Sequence, residues 1–519
     1  MSQTLPAKPS LVYLRKQAKD LLAALQSGDA DMASLFAQYF NSSEKISLVK
    51  AQLVIAREYG FDSWPALRGH VASLEKPSFE AFIDAALNAG RRKIARLWWE
   101  EYQGALRQDF ACAAMAGDLE AVRSHIDSIG QVVPPKGRPI LCYPCFSHLV
   151  KERSFEAGIM EVVRFLLAQG ADPNDCHEAE WGNEKWRETP LYGAAGVLNH
   201  AGLVKLLLDS GADPDDRAVS ADGRYHGESL YHACDHPGHN ECLRLILEAN
   251  PSQPAKDYCI LRKLDFEDLE GVRLFISFGA DLNSGRPRTA LSHAVLRGRS
   301  LEMLRLLLDA GADPNAPDED GTTAYVLARR LANREASALL ESYGAKASFG
   351  PHDALLIAAA EGDAEQVQRL LEEHPEVLAE FTELGRQKDD GVPLGWAGHI
   401  LHDMARLGST TALRVLLDLG MDPGMTNAQN ETPLHWACLA GRFEAAELLC
   451  SRGAPLDVRE NTHHCIPIEW AYWGSLYWNE PHGDYGRTVE VVLDAGTPLP
   501  SKLEGSPDVL AVLKARGAG

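Results

Sequence analysis

Thr432 to Asp457 read TPLHWACLAGRFEAAELLCSRGAPLD, and nearly every position in this stretch has a mechanical reason to be there. The Thr432 hydroxyl suits a helix start, where the opening turn leaves amides without partners, and Pro433 has no amide hydrogen to lose. Leu434 anchors that helix in a core. Ala437 is small enough to let neighbouring helices approach, and Gly441 allows the chain to reverse sharply. RFEAAELLCSR then sets apolar residues at helical spacing. Gly453 ends this second helix, because a residue without Cβ enters the left-handed region cheaply. The unit is a helix, a short turn, a second helix and an extended finger.

The closing phrase recurs along the chain. GADPN begins at Gly170, GADPD at Gly211, GADLN at Gly279 and GADPN again at Gly311, with looser forms GMDPG at Gly420 and GAPLD at Gly453. Asp and Asn in these phrases suit the turn of the finger. Gly279 to Gly311 is 32 residues and Gly420 to Gly453 is 33, while the 68 residues from Gly211 to Gly279 hold one hidden unit ending near LEANPS. The period is about 33 residues. Apolar runs such as GLVKLLLDS and LEMLRLLLDA precede the phrase, and TPLYGAA at Thr189 opens a unit as TPLHWACLAG does at Thr432.

On these residues the chain resembles the ankyrin-repeat family, over roughly residues 79 to 515, with Thr432 to Asp457 matching the family signature nearly position by position. The resemblance implies an all-α fold: a curved solenoid of stacked helix pairs with short β-hairpin fingers, whose family role is protein recognition and which implies no chemical reaction. His435 is the histidine that the signature supplies, expected to hydrogen-bond neighbouring turns. Residues 1–75 are not repeats. LVYLRKQAKDLLAALQSGD reads as one helix and KISLVKAQLVIAREYGFDSWPALRGHVASL as two more, with Ser63 capping the last and Trp64 packing locally. This N-terminal helical module resembles one that precedes ankyrin arrays in bacterial proteins, and it reads as a cover for the first unit or as a separate docking element. The expected division is 1–75 for the module, 79–346 for a first array and 352–519 for a second array with a C-terminal cap.

Composition narrows the function classes. The 519 residues are 45% apolar, and 73 acidic residues against 51 basic give a formal charge of −22. That charge repels phosphate backbones, so no nucleic-acid partner is expected. The start MSQTLPAKPSLVYLRKQAKD lacks an apolar run of signal-peptide length, and nowhere do about 18 apolar residues follow one another, so the reading is cytoplasmic with no membrane partner. Ten cysteines are too sparse for a disulfide scaffold. Several, including Cys112, Cys234, Cys242, Cys438 and Cys450, stand at helical repeat positions, as small core thiols do.

Departures from the period are where function is sought, because insertions project as loops from an intact stack. CHEAEWGNEKWRE lengthens the finger after Asn174, VSADGRYHGE the one after Asp215, and FTELGRQKDDG (Phe381 to Gly391) a third; WGSLYWNEPHGDYG (Trp473 to Gly486) expands the last full unit between its helices. The candidate partner-binding residues are Trp181, Trp186, Arg224, Tyr225, His226, Trp473, Tyr477, Trp478, His482, Asp484 and Tyr485, since Trp and Tyr anchor interfaces and acidic rims favour a basic partner. Trp473, Tyr477 and Trp478 have a rival reading, in which they fold back over the last helices as a cap. Cys142, Cys145 and His148 form C-x-x-C-x-x-H without a second pair at zinc spacing, so core thiols are expected and no metal or cofactor. No G-x-S-x-G, phosphate-binding glycine loop or H-E-x-x-H is present, and no catalytic residue is assigned. The expectation is a monomeric, non-catalytic scaffold that binds a protein partner through its concave face and long fingers. The alternatives are a ligand-binding or catalytic pocket at the aromatic and polar expansions, and a self-assembly module.

Overall fold

Helix pairs succeed one another along the chain because each of them is bounded by the same local chemistry. The computed structural model describes all residues except 1–4, 7, 8, 10, 41–45, 75, 76, 130, 131, 135, 182, 183, 217–226, 286, 320, 378–396, 428, 479–482, 501–503, 518 and 519. Two compact units emerge, Met1–Ser252 and Gln253–Gly519.

The first unit opens with four helices, Leu11–Gln26, Ala30–Ala37, Leu48–Glu58 and Trp64–Leu74. The sequence reading expects three. The extra one, Ala30–Ala37, is started by Asp29, whose carboxylate accepts the Asp31 and Met32 amides. Ser63 caps the last of the four through the Ala66 amide at 3.2 Å, and Trp64 packs with Leu14, Ala56, Leu67 and Val71. Helix pairs follow from Phe79–Ala86 onward, ending in this unit with Glu228–Ala233 and Glu241–Glu248. That last pair is the hidden unit, and Asn250, at φ +58°, takes the left-handed position that glycine holds elsewhere.

The second unit runs from helix Gln253–Leu264 to the closing helix Pro507–Ala515. The fold is all-α with stacked helix pairs. Among the described residues the paired strands are two hairpins, Val132–Val133 with Arg138–Pro139 and His177–Trp181 with Glu184–Glu188; the other described fingers are turns, one carrying an isolated bridge between Pro317 and Thr323.

Side chains tie each finger to the next. The Asn283 amide donates to the Gly311 carbonyl at 3.2 Å and its carbonyl accepts the Asp313 amide at 2.8 Å. Asn174 and Asn315 repeat the arrangement on Gly211 with Asp213 and on Gly344 with Lys346. Where the phrase reads GMDPG, a side chain on Gly424 would meet Pro455 at 2.9 Å, and close packing replaces the amide bridge.

Within the second unit, contacts also skip neighbours. Arg406 donates to the Leu296 carbonyl, and Leu407 lies 3.8 Å from the Cβ position of Gly298, although among the described residues two helix pairs intervene in sequence. Helix Ala324–Arg330 packs on helix Pro351–Glu361, and Arg330 holds Asp353 at 2.6 Å.

Candidate functional site

The aromatic turn near the C-terminus rests on two glycines. Helix Pro467–Trp473 continues into a widened π-helical turn, Gly474–Trp478. An added Cβ at Gly474 would lie 2.3 Å from the Leu439 carbonyl of the preceding unit, and one at Gly483 would lie 2.9 Å from the Ala440 carbonyl. The Tyr485 ring fills the space between these glycines, 3.0 Å and 2.9 Å from the same two Cβ positions. Tyr485 is only 4% exposed, so it supports the turn from below. Asp484 caps helix Tyr485–Asp494 by accepting the Arg487 amide at 2.9 Å, and its own amide donates to the Gly441 carbonyl at 2.9 Å. Ser475 donates to the Tyr472 carbonyl and accepts the Ser506 amide at 3.0 Å, fastening the turn to the segment before the closing helix.

On this base Trp473, Leu476 and Tyr477 stay 49%, 47% and 67% exposed. The rival reading, in which Trp473 and Tyr477 fold back as a cap, does not describe these two rings: glycine contacts draw the backbone in and leave them outside. The Trp473 ring lies 5.6 Å from Tyr477 and 6.3 Å from Trp478 between centroids. Trp478 is half-buried and carries the Arg297 guanidinium 5.2 Å from its ring centre.

Arg297 is itself held by Asp265 at 2.7 Å. Burial pushes the Asp265 carboxyl up, but the His293 hydrogen bond and the Arg297 and Arg262 charges outweigh it and hold the group well below the usual range. Burial lowers His293 to about 4, so its ring is neutral near pH 7. Sequence reasoning missed Arg297, which stands in a different unit of the repeat. It also passed over Leu476, whose signal is an apolar side chain midway between two interface-type aromatics.

The other candidates separate. Trp181 and Trp186 stand on the long hairpin, opposite Glu184 and Ala179; their side chains lie outside the description. Arg224, Tyr225, His226, His482 and the loop from Phe381 to Gly391 fall outside the described residues. Cys142 and Cys145 are buried in helix Cys142–Phe146, burial pushes both thiols up, and burial lowers His148. Among the described residues no three His, Cys, Asp or Glu side chains come together as metal ligands.

His435 has a structural task. Its Nδ1 accepts the Thr432 amide at 3.0 Å, and Nε2 lies 3.3 Å from the Cys465 carbonyl in the next finger. Burial lowers its pKa to about 4, which keeps the ring neutral and the two contacts complementary. In the THHC finger, Glu460 accepts the Thr462, His463 and Cys465 amides, so a carboxylate shapes the loop.

Residues 154–257 and 355–462 match the family model for ankyrin repeats in three copies, and residues 276–328 match the one for ankyrin repeats in many copies. The chain belongs to the ankyrin-repeat family. This ankyrin-repeat protein is 28% identical over 320 residues to the E3 ubiquitin-protein ligase KEG of Arabidopsis thaliana, covering 58% of the chain and 18% of that protein. It is 29% identical over 198 residues to SH3 and multiple ankyrin repeat domains protein 2 of Homo sapiens, covering 37% of the chain and 10% of that protein. The chain thus spans less than a fifth of either relative. The solved ankyrin repeat domain of Bcl-3 aligns at 21% identity over 54% of this chain and 89% of its own, with a TM-score of 0.26. Ankyrin repeats generally mediate protein–protein interaction. Among the described residues no helix is long and apolar enough to cross a membrane.

Proposed function

We propose that this ankyrin-repeat protein is a non-catalytic scaffold that binds another protein through its first helices and long fingers, with the C-terminal aromatic turn as an anchor. The observation that carries this reading is the exposure of Trp473, Leu476 and Tyr477 together on a turn whose backbone is pinned by Gly474, Ser475 and Tyr485. Exposed apolar side chains on a rigid base lose little conformational freedom when a partner covers them, which is the economy that makes Trp and Tyr interface anchors. The long hairpin with Trp181 and Trp186 is the second candidate anchor. Residues Arg224, Tyr225, His226 and His482 complete the proposed set, and Tyr485 acts through its support of the turn.

The charge of −22 favours a basic protein over a nucleic acid and speeds its encounter at low salt. Ten free cysteines, seven of them buried with pKa values raised where a shift is resolved, suit a reducing cytosolic setting and core packing rather than nucleophilic catalysis. The reading keeps the division into a module at 1–75 and arrays at 79–346 and 352–519, and a monomer as the acting form. Affinity capture from the native cell tests it. The Trp473→Ala/Tyr477→Ala double variant should recover the partner at a tenth of the wild-type level or less, as loss of roughly 1.4 kcal/mol or more requires. Undiminished recovery removes the aromatic turn from the account, and the same result for Trp181→Ala/Trp186→Ala removes the hairpin.

A further inference from the structure

We propose that the exposed rings of the C-terminal turn take an arginine-bearing basic segment of the partner, an inference that rests on the protein-binding reading and names the chemistry of its occupant. Three rings cluster here, Trp473 with Tyr477 at 5.6 Å and Trp478 at 6.3 Å. One of them already holds a guanidinium: Arg297 sits over Trp478 at 5.2 Å. The cluster therefore shows, within the chain, the cation it accommodates. The two rings left exposed are Trp473 and Tyr477.

Two carboxylates flank these rings along the chain, Glu469 before them and Asp484 after them. Glu469 lies one helical turn before Trp473 on the same face; one of its oxygens accepts the Ile466 amide at 2.8 Å, and Arg459 approaches it at 3.7 Å. Asp484 is exposed at the start of the helix that follows the turn. A planar, weakly hydrated guanidinium stacks on aromatic faces and pairs with carboxylates at once, whereas a lysine ammonium keeps its water more tightly. The faces of Trp473 and Tyr477 are open to a partner, at 49% and 67% exposure. Stacking on a flat cation fits these open faces and repeats what Arg297 does on Trp478.

The test uses the purified full chain and two synthetic peptides of equal length and charge, three arginines in a Gly/Ser background and three lysines in the same background, titrated calorimetrically at physiological salt. Net charge alone predicts equal affinities. Stacking predicts that the arginine peptide binds about fivefold more tightly, that Trp473→Ala/Tyr477→Ala abolishes the preference, and that Trp473→Phe/Tyr477→Phe retains it. Circular dichroism confirms that each variant is folded. Equal affinities, no binding of either peptide, or a preference that survives the double alanine change overturns the inference. If the double variant loses the captured partner but the arginine peptide neither binds nor competes with that partner, protein binding stands and the occupant is an apolar segment instead. If capture is unaffected by the double variant, the aromatic turn leaves the account and this inference falls with it, while the hairpin with Trp181 and Trp186 is tested by its own variant.

Discussion

Gly170 and Gly474 show two separate reasons for a glycine. At Gly170 nothing lies within 4 Å of an added Cβ, but φ is +92°. The same holds at Gly211, Gly279, Gly311, Gly420 and Gly453, all between +76° and +98° with open space around them. These glycines are required by backbone conformation, and the requirement is legible from the recurring phrase. Gly474 has ordinary helical angles, φ −56° and ψ −41°; its requirement is the 2.3 Å approach to the Leu439 carbonyl, which no local pattern announces. Gly170→Ala should cost about 1–2 kcal/mol from strain alone and leave the aromatic turn unchanged. Gly474→Ala should cost about 2 kcal/mol or more, because backbone must move, and it should shift tryptophan fluorescence as Trp473 is displaced. Urea unfolding with both fluorescence and circular dichroism separates the two effects; identical spectra for Gly474→Ala and wild type would refute the close-approach argument.

Between elements, buried carboxylates join the start of one unit to the finger that follows. Asp216 accepts the Thr189 and Ser229 hydroxyls at 2.8 and 2.6 Å and the Ser229 amide at 2.6 Å. Thr189 caps one first helix through the Tyr192 amide, and Ser229 stands in the opening turn of the next, Glu228–Ala233. Burial outweighs these hydrogen bonds and raises the Asp216 carboxyl to about 6. A folded pKa above the unfolded value of about 3.9 means that the native state holds the proton more tightly. The resulting stabilisation is complete below about pH 4 and fades as pH rises through about 6. Asp216→Asn removes this titration while keeping an acceptor for the Ser229 amide. The stability difference, wild type minus variant, should therefore fall between about pH 4.5 and about pH 7; a difference that stays constant or grows would show that the charged carboxylate is the favoured form. The Asn bridges are a second inter-element device. The sequence reading places both the Asp and the Asn of each phrase in the turn of the finger: Asp172 and Asp313 do form it, while Asn174 and Asn315 reach forward to the next finger.

Over the whole molecule, repetition makes the fold readable, and the non-repeating start tests that reading. Trp64 is the largest side chain in the cluster with Leu14, Ala56, Leu67 and Val71, so Trp64→Ala should cost about 3 kcal/mol in the unit Met1–Ser252. Thermal unfolding checks this, and a loss under about 1 kcal/mol would show that the four helices do not form a packed module. The all-α stack, its period, the hidden unit before Asn250 and the place of the aromatic expansion all followed from the sequence by itself, because caps, left-handed glycines and apolar spacing act over a few residues and recur. The helix Ala30–Ala37 escaped, having two turns and no repeat to announce it. Only the tertiary structure decided that Trp473 and Tyr477 face outward, that Tyr485 lies beneath them, and that Arg297 and Arg406 reach units far from their own. Those outcomes depend on which backbones approach one another in space and on how closely they do so, which a pattern along the chain does not encode.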